Sequence, residues 1–197
     1  MANQLNDQGL DLIFREARTH NAWRAEPVAE KTLHALYDLM KFGPTSANCS
    51  PARIIFVTSK AEKERLKPML MEANQEKTMQ APVCAIIGYD TKFYEQIPRL
   101  FPHFPEAKNW FVGAPEFAEQ TAFRNSSLQG AYFIIAARAL GLDCGPMSGF
   151  DAEAVNQAYF PDGQVRVNFL CNLGHGDPAG LFPRSPRLGF DEACTIV

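Results

Sequence analysis

The 197-residue sequence contains no Cys-x-x-Cys pair, no His-Glu-x-x-His and no surplus of basic charge. It also lacks the run of about 18 apolar residues that a membrane-spanning helix needs. Each absence removes a class of function. The five cysteines, Cys49, Cys84, Cys144, Cys171 and Cys194, are odd in number and scattered, so they read as reduced thiols of a cytoplasmic protein. His20, His34, His103 and His175 show no metal-ligand spacing, and no metal is expected. Met1 to Asp11 has neither the cationic start nor the apolar run of a signal peptide, so a membrane is not an expected partner. With 19 basic against 22 acidic side chains, the net charge of -3 leaves no footprint for a nucleic-acid backbone. Gly43-Pro44-Thr45-Ser46 is neither a P-loop nor the turn of a serine hydrolase.

What is present is one core's worth of chain. A hydrophobic content of 46% and the absence of repeats and linkers predict a single domain spanning 1–197. Leu33, Leu36, Tyr37 and Met40 recur at helical spacing within Val28–Lys41, and Gly43-Pro44 ends that helix. Arg53–Thr58 and Pro82–Tyr89 are β-branched runs bounded by turn residues and predict buried strands. Lys60–Met71 between them is charged and helical. A long helix is predicted over Pro115–Leu140, capped by Gly141, with Leu128–Leu142 apolar nearly all round and so buried on every side. Asp151–Tyr159 predicts a short helix with Asp151 as its N-cap, and Gln164–Leu173 a strand. The order is that of an α+β fold. Between Asp90 and Phe111, three prolines among seven aromatic or histidine side chains predict an irregular lid. The prolines of 177–197 forbid one continuous helix and suggest an extended C-terminal arm over a partner subunit.

Gly174-His175-Gly176-Asp177-Pro178-Ala179 satisfies the dinucleotide fingerprint directly after a strand. Too little chain follows to build the helix and second strand that the fingerprint serves, so it is read as a strand-ending turn. Two other segments, Gly43–Arg53 and Asp143–Asp151, are rich in small, polar and proline residues. That composition suits either ordinary turns or backbone presented to a planar heterocycle.

Separated segments resemble the nitroreductase family in order and spacing. Ala17–Trp23 followed by Glu26-Pro27-Val28 is similar to the family's opening, in which basic and hydroxyl side chains bind the phosphate and ribityl of flavin mononucleotide (FMN). There the resemblance points to Arg18, Thr19 and His20. Gly43–Pro51 resembles the loop that lines the flavin from the partner subunit, implicating Pro44, Thr45, Ser46 and Asn48. Asn74-Gln75-Glu76-Lys77 resembles a site where Asn74 and Lys77 reach the ring edge, and Gly145–Asp151 the strip whose backbone lies on the ring, through Pro146, Met147, Ser148 and Gly149. Arg184-Ser185-Pro186-Arg187 resembles the terminal basic pair on the phosphate, giving Arg184 and Arg187.

The resemblance implies an α-β-α sandwich with a mostly antiparallel central sheet, an intertwined homodimer, tightly bound FMN, and NADH or NADPH as a transient hydride donor in ping-pong turnover. The runs Ala17–Trp23, Gly43–Arg53, Thr121–Ser127 and Gly145–Asp151 resemble in particular the malonic semialdehyde reductases of pyrimidine degradation, which form 3-hydroxypropanoate. On that resemblance Arg124 is the candidate contact for the substrate carboxylate, against a structural pairing with Glu119 or Asp177. A broad nitroaromatic or quinone reductase and a non-catalytic flavin-binding module are the alternatives.

Overall fold

Two β-branched runs set the frame, because alternating side chains let one strand serve two layers at once. The computed structural model describes residues 4–197. In it β1 (Ala52–Val57) pairs antiparallel with β2 (Val83–Asp90), β2 with β4 (Val165–Gly174), and β4 with the edge strand β3 (Asp143–Met147). The order is β1-β2-β4-β3. Every residue of β2 is buried. Its Val83, Ala85 and Ile87 pack with Leu33, Leu36 and Met40 of α2 (Glu30–Met40) and with Phe133, Ala136 and Ala137 of α6 (Pro115–Ala139). Cys84 and Ile86 point the other way, toward Leu66 of α3 (Lys60–Leu66) and Val155 of α7 (Ala152–Tyr159). This is the expected three-layer α-β-α arrangement around an antiparallel sheet.

Pro68 ends α3 early: the predicted helix to Met71 tightens into a 3-10 turn at Lys67–Met69. Asp151 caps α7 as expected, its side chain accepting from Ala154 N–H at 3.0 Å. Gly141, at φ 77°, takes the left-handed conformation that ends α6. Three elements go beyond the sequence reading. α1 (Asp7–Leu10) continues into a π turn at Asp11–Arg15, where Arg15 pairs with Asp7 at 2.8 Å and Asp11 at 2.6 Å. α4 (Glu72–Gln80) carries no apolar stripe, only Thr78 being buried, so periodicity could not announce it. β3 contains Gly145-Pro146, which an edge strand tolerates and a central strand does not.

The Asp90–Phe111 segment is irregular as predicted, with α5 (Ile97–Leu100) as its short helix. It nevertheless has its own small core, in which Phe93, Ile97, Ala107 and Phe111 pack with Ala118 and Ala122 of α6. The second half of α6 departs from the expectation of burial on every side. Leu128 and Tyr132 stay exposed, so in the single chain one face of the helix is open. Beyond the 3-10 turn Pro178–Gly180, residues 182–197 are all exposed and include α8 (Phe190–Ala193). Gly174-His175-Gly176 leads only into the short 3-10 turn Pro178–Gly180 and not into the long helix a dinucleotide fingerprint opens, so the chain there makes a strand-ending turn. Among the described residues the five cysteines are free, and no helix is long and apolar enough to cross a membrane.

Candidate functional site

The N-terminal segment, the end of α6 and the tail bring four arginines to one place. Arg18, Arg138, Arg184 and Arg187 line a pocket of about 560 Å³ with Thr19, Asn21 and Ser185, and no carboxylate lines it. The guanidinium groups are held by backbone carbonyls. Arg18 donates to Phe182 O, Arg138 to Ile13 O at 3.0 Å, Arg184 to Arg15 O at 2.8 Å, and Arg187 to Ser185 O at 2.9 Å. A carbonyl fixes the position of a cation without cancelling its charge. Among the described residues none of the four forms an ion pair. Arg138 also has a buried Nε with no partner, an arrangement that natural proteins keep rare.

From this pocket a line of hydrogen bonds runs to the turn after β3. Lys77 donates to Asn21 Oδ1 at 3.3 Å, and burial lowers the lysine's pKa below its ordinary value. One helical turn earlier on α4, Asn74 donates to the carbonyl of Gly149 at 2.8 Å. A Cβ on Gly149 would lie 2.5 Å from Asn74 Nδ2 and 3.1 Å from Met71 Sδ, so a larger residue there would push the Asn74 amide off the Gly149 carbonyl. Ser148 is exposed beside it and Pro146 half-buried. Met147, the last residue of β3 and in register with Leu170 of β4, turns its side chain into the core, where Thr78 Oγ1 donates to its sulfur at 3.7 Å.

His20 is placed differently from its expected role beside Arg18. Its ring is buried against Gly176, with Nε2 3.3 Å from Asp143 Oδ1, while Asp143 Oδ2 accepts from Gly176 N–H at 2.8 Å. It is not among the residues lining the basic pocket. Together with the bridges Thr19–Cys144 and Trp23–Gly176, it fastens the segment carrying Arg18 to the edge of the sheet.

The remaining predicted residues gather elsewhere. Pro44 and Asn48 line a cleft of about 900 Å³ with Phe42, Ser50, Gln96, Arg99, Leu100 and Gln129. This loop is strained, because Ala47, Asn48 and Ser50 adopt φ of 49°, 47° and 39°, a region that side chains other than glycine seldom occupy. Polar contacts hold it there. Asn125 accepts from Ser46 N–H at 2.8 Å, Gln129 from Ala52 N–H at 2.8 Å, and Thr45 Oγ1 from Ser50 N–H at 3.2 Å. Asn125 and Gln129 lie on the buried face of α6, which explains why a helix in the middle of the fold carries polar groups inward. Ser46 is tied to Asn125 and the basic pocket to Arg138, positions about 20 Å apart along one helix at 1.5 Å per residue.

Within one chain, then, Arg18, Thr19, Asn74, Lys77, Pro146, Met147, Ser148, Gly149, Arg184 and Arg187 form one neighbourhood, and Pro44, Thr45, Ser46 and Asn48 another. Arg124 belongs to neither. It is exposed in a hollow with Gln120, Phe123, Ser127 and Leu128. The structural pairing weighed for it is absent, since Glu119 accepts instead from Arg166 at 2.6 Å and Asp177 caps Ala179 N–H at 2.9 Å. Asn21, Arg99 and Arg138 were not picked out from the sequence. For Arg138 a signal existed: it is the one charged residue within the mostly apolar stretch Leu128–Leu142, and a cation so placed needs a reason.

A family model described as the nitroreductase family matches residues 14–175. A protein of Polynucleobacter asymbioticus is 63% identical over 197 residues, covering 100% of both chains, and carries the provisional name NADH dehydrogenase/NAD(P)H nitroreductase. Among solved structures, a provisionally named nitroreductase of Bacillus subtilis superposes with a TM-score of 0.89 at 22% identity, over 98% of this chain and 100% of that one. A second such protein, from Exiguobacterium sibiricum and solved in complex with FMN, gives a TM-score of 0.85 at 17% identity and covers 100% of both chains.

Proposed function

The chain belongs to the nitroreductase family, and from that premise we propose that it is an FMN-dependent oxidoreductase that uses NADH or NADPH to reduce a small aldehyde, malonic semialdehyde, to 3-hydroxypropanoate. The observation that carries the cofactor is the charge of the basic pocket. Four arginines without a carboxylate partner suit a dianionic phosphate, and the orphaned Nε of Arg138 is a donor waiting for an acceptor. Arg18, Arg184 and Arg187 hold that phosphate, with Thr19 beside them. Lys77 serves as the cation at the carbonyl edge of the ring, and the backbone of Pro146–Gly149 as its rest.

Bound flavin supplies reversible two-electron hydride transfer, chemistry that no side chain here offers. The chain's own contribution is orientation, charge and exclusion of water. Lys77, half-buried and without a carboxylate partner, favours negative charge next to it more strongly than an exposed lysine would. The aromatic segment between Asp90 and Phe111 covers the approach. One pocket serves both substrates in turn, since the chain after Gly174 builds no dinucleotide-binding helix.

The functional unit is a homodimer, in which the Pro44–Asn48 loop of one copy completes the basic half of the other. The separation of about 20 Å between the two halves supports this. So do the open face of α6 and a tail that leaves Phe182, Leu188 and Phe190 at 72%, 70% and 60% exposure. Free, mostly buried thiols suit the reducing cytoplasm. The names of the relatives favour a second reading, reduction of nitroaromatics or quinones in the same site.

The visible spectrum of the purified protein tests the proposal. A yellow protein that bleaches anaerobically with NADH or NADPH, and recolours with malonic semialdehyde, supports it. Recolouring only with a nitroaromatic favours the second reading, and a flavin that never bleaches marks a binding module. A protein that takes up no FMN even in excess removes the enzyme assignment. Parallel initial-rate lines are expected for ping-pong exchange, and intersecting lines would overturn that order.

A further inference from the structure

The cleft beside the Pro44–Asn48 loop carries a charge that the fold does not cancel. Three cations line it, Lys41, Arg53 and Arg99, and no aspartate or glutamate does. Lys41 is neutralised from outside by Asp38 at 2.6 Å, and Arg53 by the buried Asp90 at 2.6 Å. Arg99 has only the neutral Gln96, whose Oε1 accepts from its Nε at 3.3 Å and from its Nη2 at 3.2 Å. Among the described residues no carboxylate pairs with it. The cleft therefore holds one net positive charge, the complement of a monoanion.

Its position is set by the loop itself. Asn48, one of the three left-handed residues, donates from Nδ2 to the carbonyl of Leu100 at 2.7 Å, which ties the residue after Arg99 to the strained loop. A planar, five-donor guanidinium at that place matches a carboxylate through two parallel hydrogen bonds. Leu100, Phe42 and Ile54, which line the same cleft, offer an apolar surface to a short carbon chain.

We propose that Arg99 is the specificity-determining residue for the substrate's charge: it binds the carboxylate of a small carboxylate-bearing aldehyde, and Arg124 does not. This rests on the flavoenzyme reading above. Arg124 shares its hollow with Phe123 and Leu128 on the open face of α6, and neither the strained loop nor any other predicted flavin-lining residue borders it.

The test compares wild type, Arg99→Gln, Arg99→Lys and Arg124→Gln as holoenzymes, with FMN content measured in each. The ratio of kcat/KM for malonic semialdehyde over propanal, which lacks the carboxylate, is expected to fall roughly 10- to 100-fold in Arg99→Gln, largely through KM. It should fall less in Arg99→Lys, which keeps the charge, and stay near wild type in Arg124→Gln. Calorimetric titration of the oxidised holoenzyme with 3-hydroxypropanoate, which involves no turnover, should show Kd weakened by a similar factor. A ratio that does not move in Arg99→Gln, or that moves only in Arg124→Gln, overturns the assignment. So does a selective loss of NADPH over NADH as donor, which would make Arg99 a reader of the nucleotide phosphate. An active flavoprotein that reduces nitroaromatics but no carboxylate-bearing aldehyde sinks this inference alone, whereas a chain that binds no FMN sinks it together with the reading beneath it.

Discussion

Replacing Arg18 by glutamine removes one of the four uncompensated cations of the basic pocket while keeping a hydrogen-bonding side chain of similar reach. Arg18 is half-buried, and its carbonyl partner, Phe182 O, leaves the remaining donors of its fork free for a ligand. A hydrogen bond to a charged group contributes about 1.5–3 kcal/mol. Solvent access and the three remaining arginines argue for the lower end, about 1.5–2 kcal/mol, or roughly a 10- to 30-fold weaker Kd for FMN. The assay is fluorescence titration of apoprotein with FMN and, in parallel, with riboflavin, which lacks the phosphate. Wild type should prefer FMN strongly, and in Arg18→Gln that preference should shrink by the stated factor while riboflavin affinity stays within about twofold. Added salt should narrow the wild-type preference, because exposed charges are screened within about 10 Å at 0.1 M. Arg18→Gln also gives up the hold on the tail carbonyl, at a net cost of about 1 kcal/mol, which thermal unfolding of the apoprotein reads separately. An equal loss for FMN and riboflavin would show that Arg18 only supports the fold, and no loss for either would remove the phosphate from this pocket.

Lys77→Met should lower the flavin reduction potential by about 30 mV, the equivalent of about 1.4 kcal/mol for two electrons, as read by dye-coupled reduction. The same variant carries a stability signature. Burial depresses the folded-state pKa of Lys77 below the unfolded value near 10.5, so the protonated side chain opposes folding at neutral pH, and that penalty fades as pH rises through the folded to the unfolded pKa. Lys77→Met apoprotein should therefore resist urea better than wild type at pH 7, with the gap closing toward pH 10.5; a gap that widens would refute the desolvation argument. Gly176→Ala would place a Cβ 1.9 Å from His20 Nδ1, and a displacement of that size should cost about 2 kcal/mol or more, visible as a lower Tm and weaker FMN binding. Burial raises the thiol of Cys49 to about 11 and that of Cys84 to about 12, and Cys144 and Cys171 are buried as well. A chromogenic disulfide reagent at pH 8 should accordingly titrate Cys194 alone in the native protein and the other thiols only after denaturation.

Particular residues show where sequence reading ended. Leu33, Leu36 and Met40 at helical spacing, and the β-branched runs around Ile54 and Ile86, were legible because burying a periodic apolar face is a local instruction. The failed fingerprint at Gly174–Ala179 was legible for the converse reason: Pro178, Pro183 and Pro186 stand where the helix behind it would have to run. Polar α4 was not legible. It carries Asn74 to the turn after β3 and Lys77 to Asn21, and no apolar stripe records that. Nor was the inward turn of His20, which follows from the space left by Gly176 and the carboxylate of Asp143, residues more than a hundred positions away.

By itself the sequence determined which stretches become helix or strand and the break of the tail by proline, while the layers, the antiparallel sheet and the segments from which a flavin site would be drawn came through its family resemblance. Only tertiary structure decided which of those segments meet. Arg18, Arg138, Arg184 and Arg187 converge because α6 ends where the tail begins its course along the N-terminal segment, and α6 holds the Pro44–Asn48 loop at its other half, about 20 Å away. Local propensity fixes the conformation of each stretch, but the charge of a pocket is a sum over groups remote in the chain. Whether an arginine such as Arg99 remains uncompensated depends on which carboxylates the fold brings within reach, and the order of residues alone does not state that.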